Sequence, residues 1–480
     1  MDKERFREFL YKCYNCNSEF KSSEIVFKCP SCDNLVLIEV PISNVKQIFE
    51  KKKLENFWDY RSILPHIDKN YIVSIGEGGT PCRLSKRLGR IWNINDLYFK
   101  DETQNPTNSF KDRAAALLVS HARSLNYKKI VCASNGNQGA SIAAYASVEG
   151  LDCINIIPKK IDVGKKAQMI AYNSKIISHG DYVDEAIEEV KKKEYSDYYQ
   201  ATPEFNPLTI EGQKTISYEI YNQIGNVDGI IIPMGSGGLL ISVWKGFKEL
   251  KSAKIINKIP RMIGVQSQVS SPIVDQLEKN KIELNQSLEA DYDSYALGIL
   301  VKKPFYQDLA INAIKDTNGI ALSIPENIML TAAEELASNE GIFAEPASAL
   351  TIAALNTLKQ QNRISKDDKI VCMITGSGLK TPYVLEALSS RAKTASLGGI
   401  LSTKLKILSQ ISLSHENGIY GKKIREILGG ISLAAVYQHL KDLEEKDLIK
   451  RNKRGKSVYY RITEKGEKVL EALETLIALL

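Results

Sequence analysis

No stretch of this 480-residue chain approaches the run of about 20 apolar residues that a membrane-spanning helix needs. That excludes a helical membrane protein. The opening residues, MDKERFREFLYK, are charged and lack the apolar core of a secretory leader, so a soluble, cytoplasmic protein is expected. Two phosphate-binding signatures are missing. G-x-x-x-x-G-K-[ST] does not occur, and GSGGLL (235–240) departs from the dinucleotide spacing G-x-G-x-x-G. Internal repeats and low-complexity tracts are absent too. A strong charge of one sign is lacking over most of the chain: 64 Lys/Arg face 57 Asp/Glu. The excess is concentrated at the end, where residues 395–480 hold 15 basic and 10 acidic side chains. That segment is a candidate anion-binding module.

What is present divides the chain in three. Residues 1–40 hold four of the eight cysteines, Cys13, Cys16, Cys29 and Cys32. Two C-x-x-C knuckles twelve residues apart supply the four soft ligands of a tetrahedral zinc ion, with no open position for chemistry. A structural zinc ribbon is therefore expected. Cys132, Cys153 and Cys372 lie in apolar runs and read as core, and nothing calls for an oxidising compartment.

Residues 41–394 alternate β-branched runs with amphipathic stretches. KKIVCAS (128–134), CINIIP (153–158), SKIISHG (174–180), DGIIIPMG (228–235), RMIGVQS (261–267) and KIVCMITG (369–376) read as buried strands. The alternation predicts α/β layering with largely parallel sheets, and the length predicts two lobes. Three strand-to-helix turns are glycine-rich: SNGNQGAS (134–141), GSGGL (235–239) and TGSGL (375–379). Such turns sit at the carboxyl ends of parallel strands, where backbone amides approach an anion. A lysine, Lys111, stands in the first turn of a fourth helix, where the helix dipole disfavours a cation. A compact phosphate on a carbonyl-reactive ring, pyridoxal phosphate, fits one lysine and an anion cradle.

GEGGTP (76–81), NPTNSFKDR (105–113), SNGNQGAS, IEGQKT (210–215), GIFAEPASA (341–349) and TGSGLK (375–380) occur in that order. Together they resemble threonine synthase, in the fold group of tryptophan synthase β and serine/threonine dehydratase. The resemblance covers roughly residues 10–390, and the cysteine quartet matches the ribbon of archaeal-type members. It implies a two-lobed, pyridoxal-phosphate-dependent fold type II. Lys111 would be the Schiff-base lysine, Asn137 the partner of the cofactor's phenolic oxygen, Gly235, Ser236, Gly237 and Gly238 the phosphate cradle, and Thr375 the hydroxyl facing the ring nitrogen. Glu345 would fix the wall of the site. Thr80, Asn108 and Ser109 are candidates for the substrate's carboxylate or phosphate. Lys165, Lys166 and Lys214 could contact a phosphate but read first as solvated surface lysines. The implied reaction takes O-phospho-L-homoserine and water to L-threonine and phosphate, in a homodimer.

Three positions depart from the family pattern. Asn108 replaces the glycine of NPTGSFKDR, where a side chain could re-pattern the substrate pocket. Asn135 replaces the usual Ser or Thr of the asparagine turn, and Thr209 stands where many members carry arginine. Cysteate synthase, a serine or threonine dehydratase, and a regulator sensing an amino acid are the competing readings.

Residues 395–480, after a small-residue linker at 389–400, read as three helices, a hairpin and a last helix. ISLAAVYQHLKDLEEKDLIKR followed by NKRGKSVYYRITEKG resembles the winged helix-turn-helix of PadR- and ArsR-type repressors. Leu433, Val436, Tyr437, Leu440, Leu443 and Leu448 would form the packed face. Ser432, Ala434, Ala435, Gln438, His439 and Lys441 would form the groove-reading face. Arg451, Lys453, Arg454, Lys456 and Arg461 would meet phosphates of DNA.

Overall fold

The computed structural model describes residues 9–49, 54–278, 294–381, 399–414, 418–428, 433–454 and 457–478. The chain forms two compact units, residues 1–385 and 386–480. The 389–400 linker falls mostly outside the described residues, as do Ser432 and Lys456. The side chains of Ala434 and Arg454 are likewise not described. Among the described residues no helix is long and apolar enough to cross a membrane.

In the first unit, β1 (Phe9–Cys13), β2 (Glu19–Ser22) and β3 (Val36–Glu39) make a small antiparallel sheet in the order β2-β1-β3. The ribbon is seated on the two-lobed region that follows it through aromatic contacts. Phe9 packs on His121, Tyr14 on Trp244 and Phe27 on Phe205, with ring centroids 5.7, 5.7 and 5.2 Å apart.

Two parallel sheets follow. β6 (Lys129–Ala133), β7 (Asp152–Ile157), β8 (Lys175–Ser178) and β9 (Tyr199–Gln200) form one lobe, in the order β8-β7-β6-β9. The other lobe runs β12-β11-β10-β13-β5-β4. It comprises β4 (Cys82–Leu84), β5 (Asp96–Asp101), β10 (Gly229–Pro233), β11 (Arg261–Ser267), β12 (Ile320–Ile324) and β13 (Lys369–Ile374); only β4, at its edge, is antiparallel. All six expected strands are present. β10 is buried at every position, as a strand covered by helices on both faces must be. Cys132, Cys153 and Cys372 are buried core residues.

Buried charge joins the motifs behind the lobes. Arg113 is fully buried and holds Glu102 (Nε to Oε2, 2.7 Å) and Glu219 (Nη1 to Oε1, 2.6 Å); Lys100 reaches Glu219 at 2.7 Å. Glu219 also accepts from the amide of Gly79, and Glu102 from the hydroxyl of Thr80. GEGGTP, KDR and the helix bearing EGQKT (Leu208–Ile224) are thereby locked together.

The second unit comprises helices Gly399–Leu413, Gly421–Leu428, Leu433–Glu445 and Glu464–Ala478, with β14 (Ile419–Tyr420), β15 (Ile449–Arg454) and β16 (Ser457–Ile462) in the order β14-β16-β15. This is the expected winged helix. Ile407, Ile411, Ile424, Val436, Leu440, Leu443 and Ile449 form its core. Tyr437 is a correction: it is 45% exposed rather than packed, its ring lying over Gly421.

Candidate active site

The carboxyl ends of β6, β10 and β13 open on one cavity, about 940 Å³ counted to its solvent-filled mouth. Its walls include Lys111, Asn137, Gly235, Ser236, Gly237, Gly238, Glu345 and Thr375. Residues drawn from five separate stretches of sequence thus meet in one place.

Lys111 begins a helix, Lys111–Ser124, whose alanines and leucines bury almost every position behind it. Its Nζ lies 4.8 Å from the centre of the Phe110 ring. Burial pushes the amine below the ordinary lysine value, against opposing attraction from Glu204 and Glu345. Burial thus acts in the same direction as the helix start, against the charged form of the amine. The two residues that follow are structural. Asp112 accepts from the amide (2.7 Å) and hydroxyl (2.6 Å) of Thr107 and so pins the preceding turn, while Arg113 anchors the charge network.

The 235–238 turn leads into helix Gly238–Ser252. Gly237 has φ +92°, and a Cβ there would crowd Ala310 Cβ at 3.0 Å, so that position favours glycine. Main-chain amides at this helix N-terminus are suited to a phosphate. Thr375 Oγ1 lies 2.8 Å from Ser348 Oγ, making a neutral hydroxyl pair. Asn137 Nδ2 donates to both oxygens of Glu345 (3.1 and 3.2 Å), and Glu345 Oε2 also meets Lys165 Nζ at 3.0 Å. Asn137 Oδ1, both amide atoms of Gln138, Thr209 Oγ1 and Gln213 Nε2 are buried without hydrogen-bond partners among the described residues. All four side chains line the cavity. Unpartnered polar atoms around a cavity signal a polar occupant, and with the lysine and the glycine cradle they fit pyridoxal phosphate.

Several candidates fall elsewhere. Thr80 donates to Glu102 at 2.6 Å, Ser109 Oγ accepts from the amide of Lys111, and neither lines the cavity. Asn108 adopts φ +60°, the left-handed region that glycine and asparagine tolerate best, and its amide turns to the carbonyl of Thr103 at 3.0 Å. It thus occupies a backbone conformation open to glycine and is not among the residues that line the cavity. Asn135 donates at 3.1 Å to the carbonyls of both Leu297 and Gly298, fastening segment 297–298 beside the cavity. Lys166 is exposed, as expected. Lys165 and Lys214 are corrections: both are buried. Lys165 bridges Asp162 (2.6 Å) and Glu345, while Lys214 bridges Glu211 (2.6 Å) and Glu249 (3.0 Å), outside the cavity lining.

Three residues escaped the sequence reading. Ser348 lies inside the quoted AEPASA motif. Lys380, the last residue of TGSGLK, donates to the Thr107 carbonyl at 2.7 Å, and burial lowers its amine to about 8. Glu204 carries no motif signal, yet it lines the cavity and accepts from Ser236 Oγ at 3.0 Å.

In the N-terminal ribbon, Cys13, Cys16, Cys29 and Cys32 place their sulfurs within 4.8 Å of one another, with Cys13–Cys32 at 3.5 Å and Cys16–Cys29 at 3.7 Å. Zn–S bonds of about 2.3 Å set tetrahedral sulfurs roughly 3.8 Å apart, so the quartet fits zinc.

A lysine amine, a glycine-rich anion cradle and polar walls at the carboxyl ends of parallel strands define a pyridoxal-phosphate-dependent enzyme of fold type II. Residues 73–376 match the family model described as "Pyridoxal-phosphate dependent enzyme", and residues 400–480 match the HxlR-like helix-turn-helix. The winged helix is thus HxlR-like rather than PadR- or ArsR-type. The chain is 36% identical to threonine synthase of Methanocaldococcus jannaschii, over 78% of this chain and 93% of that protein. It is 34% identical to threonine synthase of Methanosarcina acetivorans over the same shares. Maize serine racemase superimposes with a TM-score of 0.55 at 21% identity, covering 66% of this chain and 93% of that one. The chain belongs to the threonine synthase family, with an HxlR-like domain added to it.

Proposed function

We propose that the chain converts O-phospho-L-homoserine and water to L-threonine and phosphate, with Lys111 as the residue that binds the cofactor and moves protons. Residues brought to one cavity by three strand-end turns and two helix starts carry this reading, together with the threonine synthases that match the chain over most of their length. When bound, pyridoxal phosphate would withdraw electrons from the amino acid's α-carbon.

The chain's own groups would do the rest. The amides of 235–238 would grip the cofactor phosphate. The Lys111 amine, whose charged form burial disfavours, would take the α-proton and help relocate a β-proton. The Thr375–Ser348 hydroxyl pair would face the ring nitrogen without forcing a proton onto it. Asn137 would set the ring, with Glu345 and Lys165 holding Asn137 in turn. Thr209, Gln213 and Gln138 would supply uncharged hydrogen bonds to the substrate. The walls would exclude water until phosphate has left Cγ, and water then adds at Cβ.

Zinc in the four-cysteine site would be structural. The HxlR-like unit would bind DNA, with exposed Gln438 and Lys441 on the recognition helix and Arg451 and Lys453 on the hairpin. As with the wider winged-helix class, two copies would pair.

Two assays test the enzymatic reading. Borohydride reduction of the cofactor-loaded protein is expected to fix the cofactor on the peptide containing Lys111, and Lys111→Ala to abolish that adduct. Phosphohomoserine is expected to yield equimolar phosphate and threonine, with phosphoserine and threonine turned over far more slowly. Turnover of phosphoserine with sulfite, or of threonine alone, would replace the proposed substrate.

A further inference from the structure

The phosphate cradle has a neighbour of the wrong sign. Glu204 lies in the short turn Pro203–Phe205 just after β9 and is 7% exposed. Its Oε1 accepts a 3.0 Å hydrogen bond from Ser236 Oγ, and Ser236 is the second residue of the cradle. Both side chains line the cavity. A serine hydroxyl donates one proton. A phosphate seated on residues 235–238 would draw on that hydroxyl while an ionised Glu204 already holds it, and two anions would then share one donor away from water. Such like-charge contacts in poorly solvated sites are strongly unfavourable. A protonated carboxyl reverses the situation. It becomes a donor, able to point its own O–H at Ser236 Oγ or at the phosphate, and the serine proton is free for the anion.

We propose that Glu204 is the proton-carrying member of the cradle: phosphate and ionised Glu204 compete for Ser236, and the site holds a phosphate by taking one proton from solvent onto Glu204. One proton is taken up for each phosphate bound, and no covalent bond changes.

The surroundings of Glu204 are mixed in sign. Lys111 faces it from the start of its helix and favours the ionised form. Asp184, from helix Val183–Glu189, opposes ionisation. Cys132 of β6 and Tyr306 are close enough for the Glu204 charge to raise both of their own values, and the Tyr306 hydroxyl donates to the carbonyl of Pro203 at 2.7 Å. Lys302 and Lys303 share the outer cleft with it. Burial is the largest influence on Glu204 and pushes its carboxyl up, in the direction proton uptake requires.

The test uses the full chain freed of cofactor and titrated with pyridoxine 5′-phosphate. This analogue carries the phosphate but no aldehyde, so imine chemistry at Lys111 plays no part. Calorimetry at pH 8 in two buffers of different ionisation enthalpy counts the protons exchanged; the phosphate monoester is already a dianion there. The wild type is expected to take up close to one proton per ligand, and its affinity to fall by up to tenfold between pH 8 and pH 9. Glu204→Gln keeps the hydrogen bond to Ser236 but cannot titrate. It is expected to bind without that uptake and with little change across the same range. It retains Lys111, so a proton taken up by the lysine would persist in the variant. Equal uptake in the two proteins would overturn the proposal. Zero uptake by the wild type would overturn it whether or not the variant folds. Failure of the wild type to bind the analogue would overturn the cradle itself, a result separate from any failure to make threonine.

Discussion

Lys165 and Glu345 form a buried ion pair across the two lobes, Nζ to Oε2 at 3.0 Å. Lys165 comes from the helix between β7 and β8, and Glu345 from the residue ahead of helix Pro346–Gln360. The same carboxylate receives Asn137, so one group joins the wall of the cavity to a contact between the lobes.

Removing one partner of such a pair strands a buried charge. Lys165→Met is expected to destabilise the first unit by about 3–5 kcal/mol, read as a lower midpoint in urea. The double variant Lys165→Met/Glu345→Gln is expected to recover part of that loss, because the two changes share one interaction.

His121 gives the protein an acid-side weakness. Its ring is buried, with Nδ1 2.8 Å from the Tyr199 hydroxyl, and burial lowers it from 6.5 to about 4. The folded state therefore binds fewer protons than the unfolded state between those values. The stabilisation is complete above pH 6.5 and is lost as pH falls toward 4, up to about 3 kcal/mol in all. His121→Asn is expected to flatten the dependence of the urea midpoint on pH across that window.

Much of this arrangement was legible in the sequence, and the limits have physical causes. β10, β11 and β13 announce themselves because strands buried on both faces are unbroken apolar runs. β5, DLYFKD, does not, because Lys100 and Asp101 are buried as charges, Lys100 neutralised by Glu219 and Asp101 meeting Arg83 at 3.1 Å. Lys165 and Lys214 read as surface residues for a related reason: their near partners Asp162 and Glu211 stand three residues away, as in any exposed helical ion pair, while Glu345 and Glu249, which complete the buried clusters, are distant in sequence. Lys111, Asn137, Thr375 and the 235–238 turn were found through ordered motifs. Glu204 lies outside every motif, so only its position beside Ser236 reveals it. Asn108 reads as a change in the pocket, yet it sits at a left-handed backbone position that asparagine tolerates and outside the cavity lining.

The four-cysteine site is expected to hold one zinc ion per chain, measurable by elemental analysis, and Cys16→Ser to lower the content. Because Tyr14 of the ribbon packs on Trp244, chelation is expected to alter tryptophan fluorescence, and added zinc to restore it.

DNA binding by the second unit is expected to weaken with salt. Replacing Arg451 and Lys453 with alanine in the full chain removes two phosphate contacts and is expected to reduce the slope of log affinity against log salt by about 2. An unchanged slope, measured by fluorescence anisotropy, would assign those side chains to the protein surface alone.

The most direct test of the central claim is turnover of O-phospho-L-homoserine by the cofactor-loaded chain in water enriched with oxygen-18. Elimination breaks the Cγ–O bond, so phosphate leaves with its own oxygens, and the labelled oxygen enters at Cβ. The expected result is unlabelled phosphate with an equal amount of threonine labelled once in its hydroxyl. Labelled phosphate with homoserine, or no product at all, would contradict it.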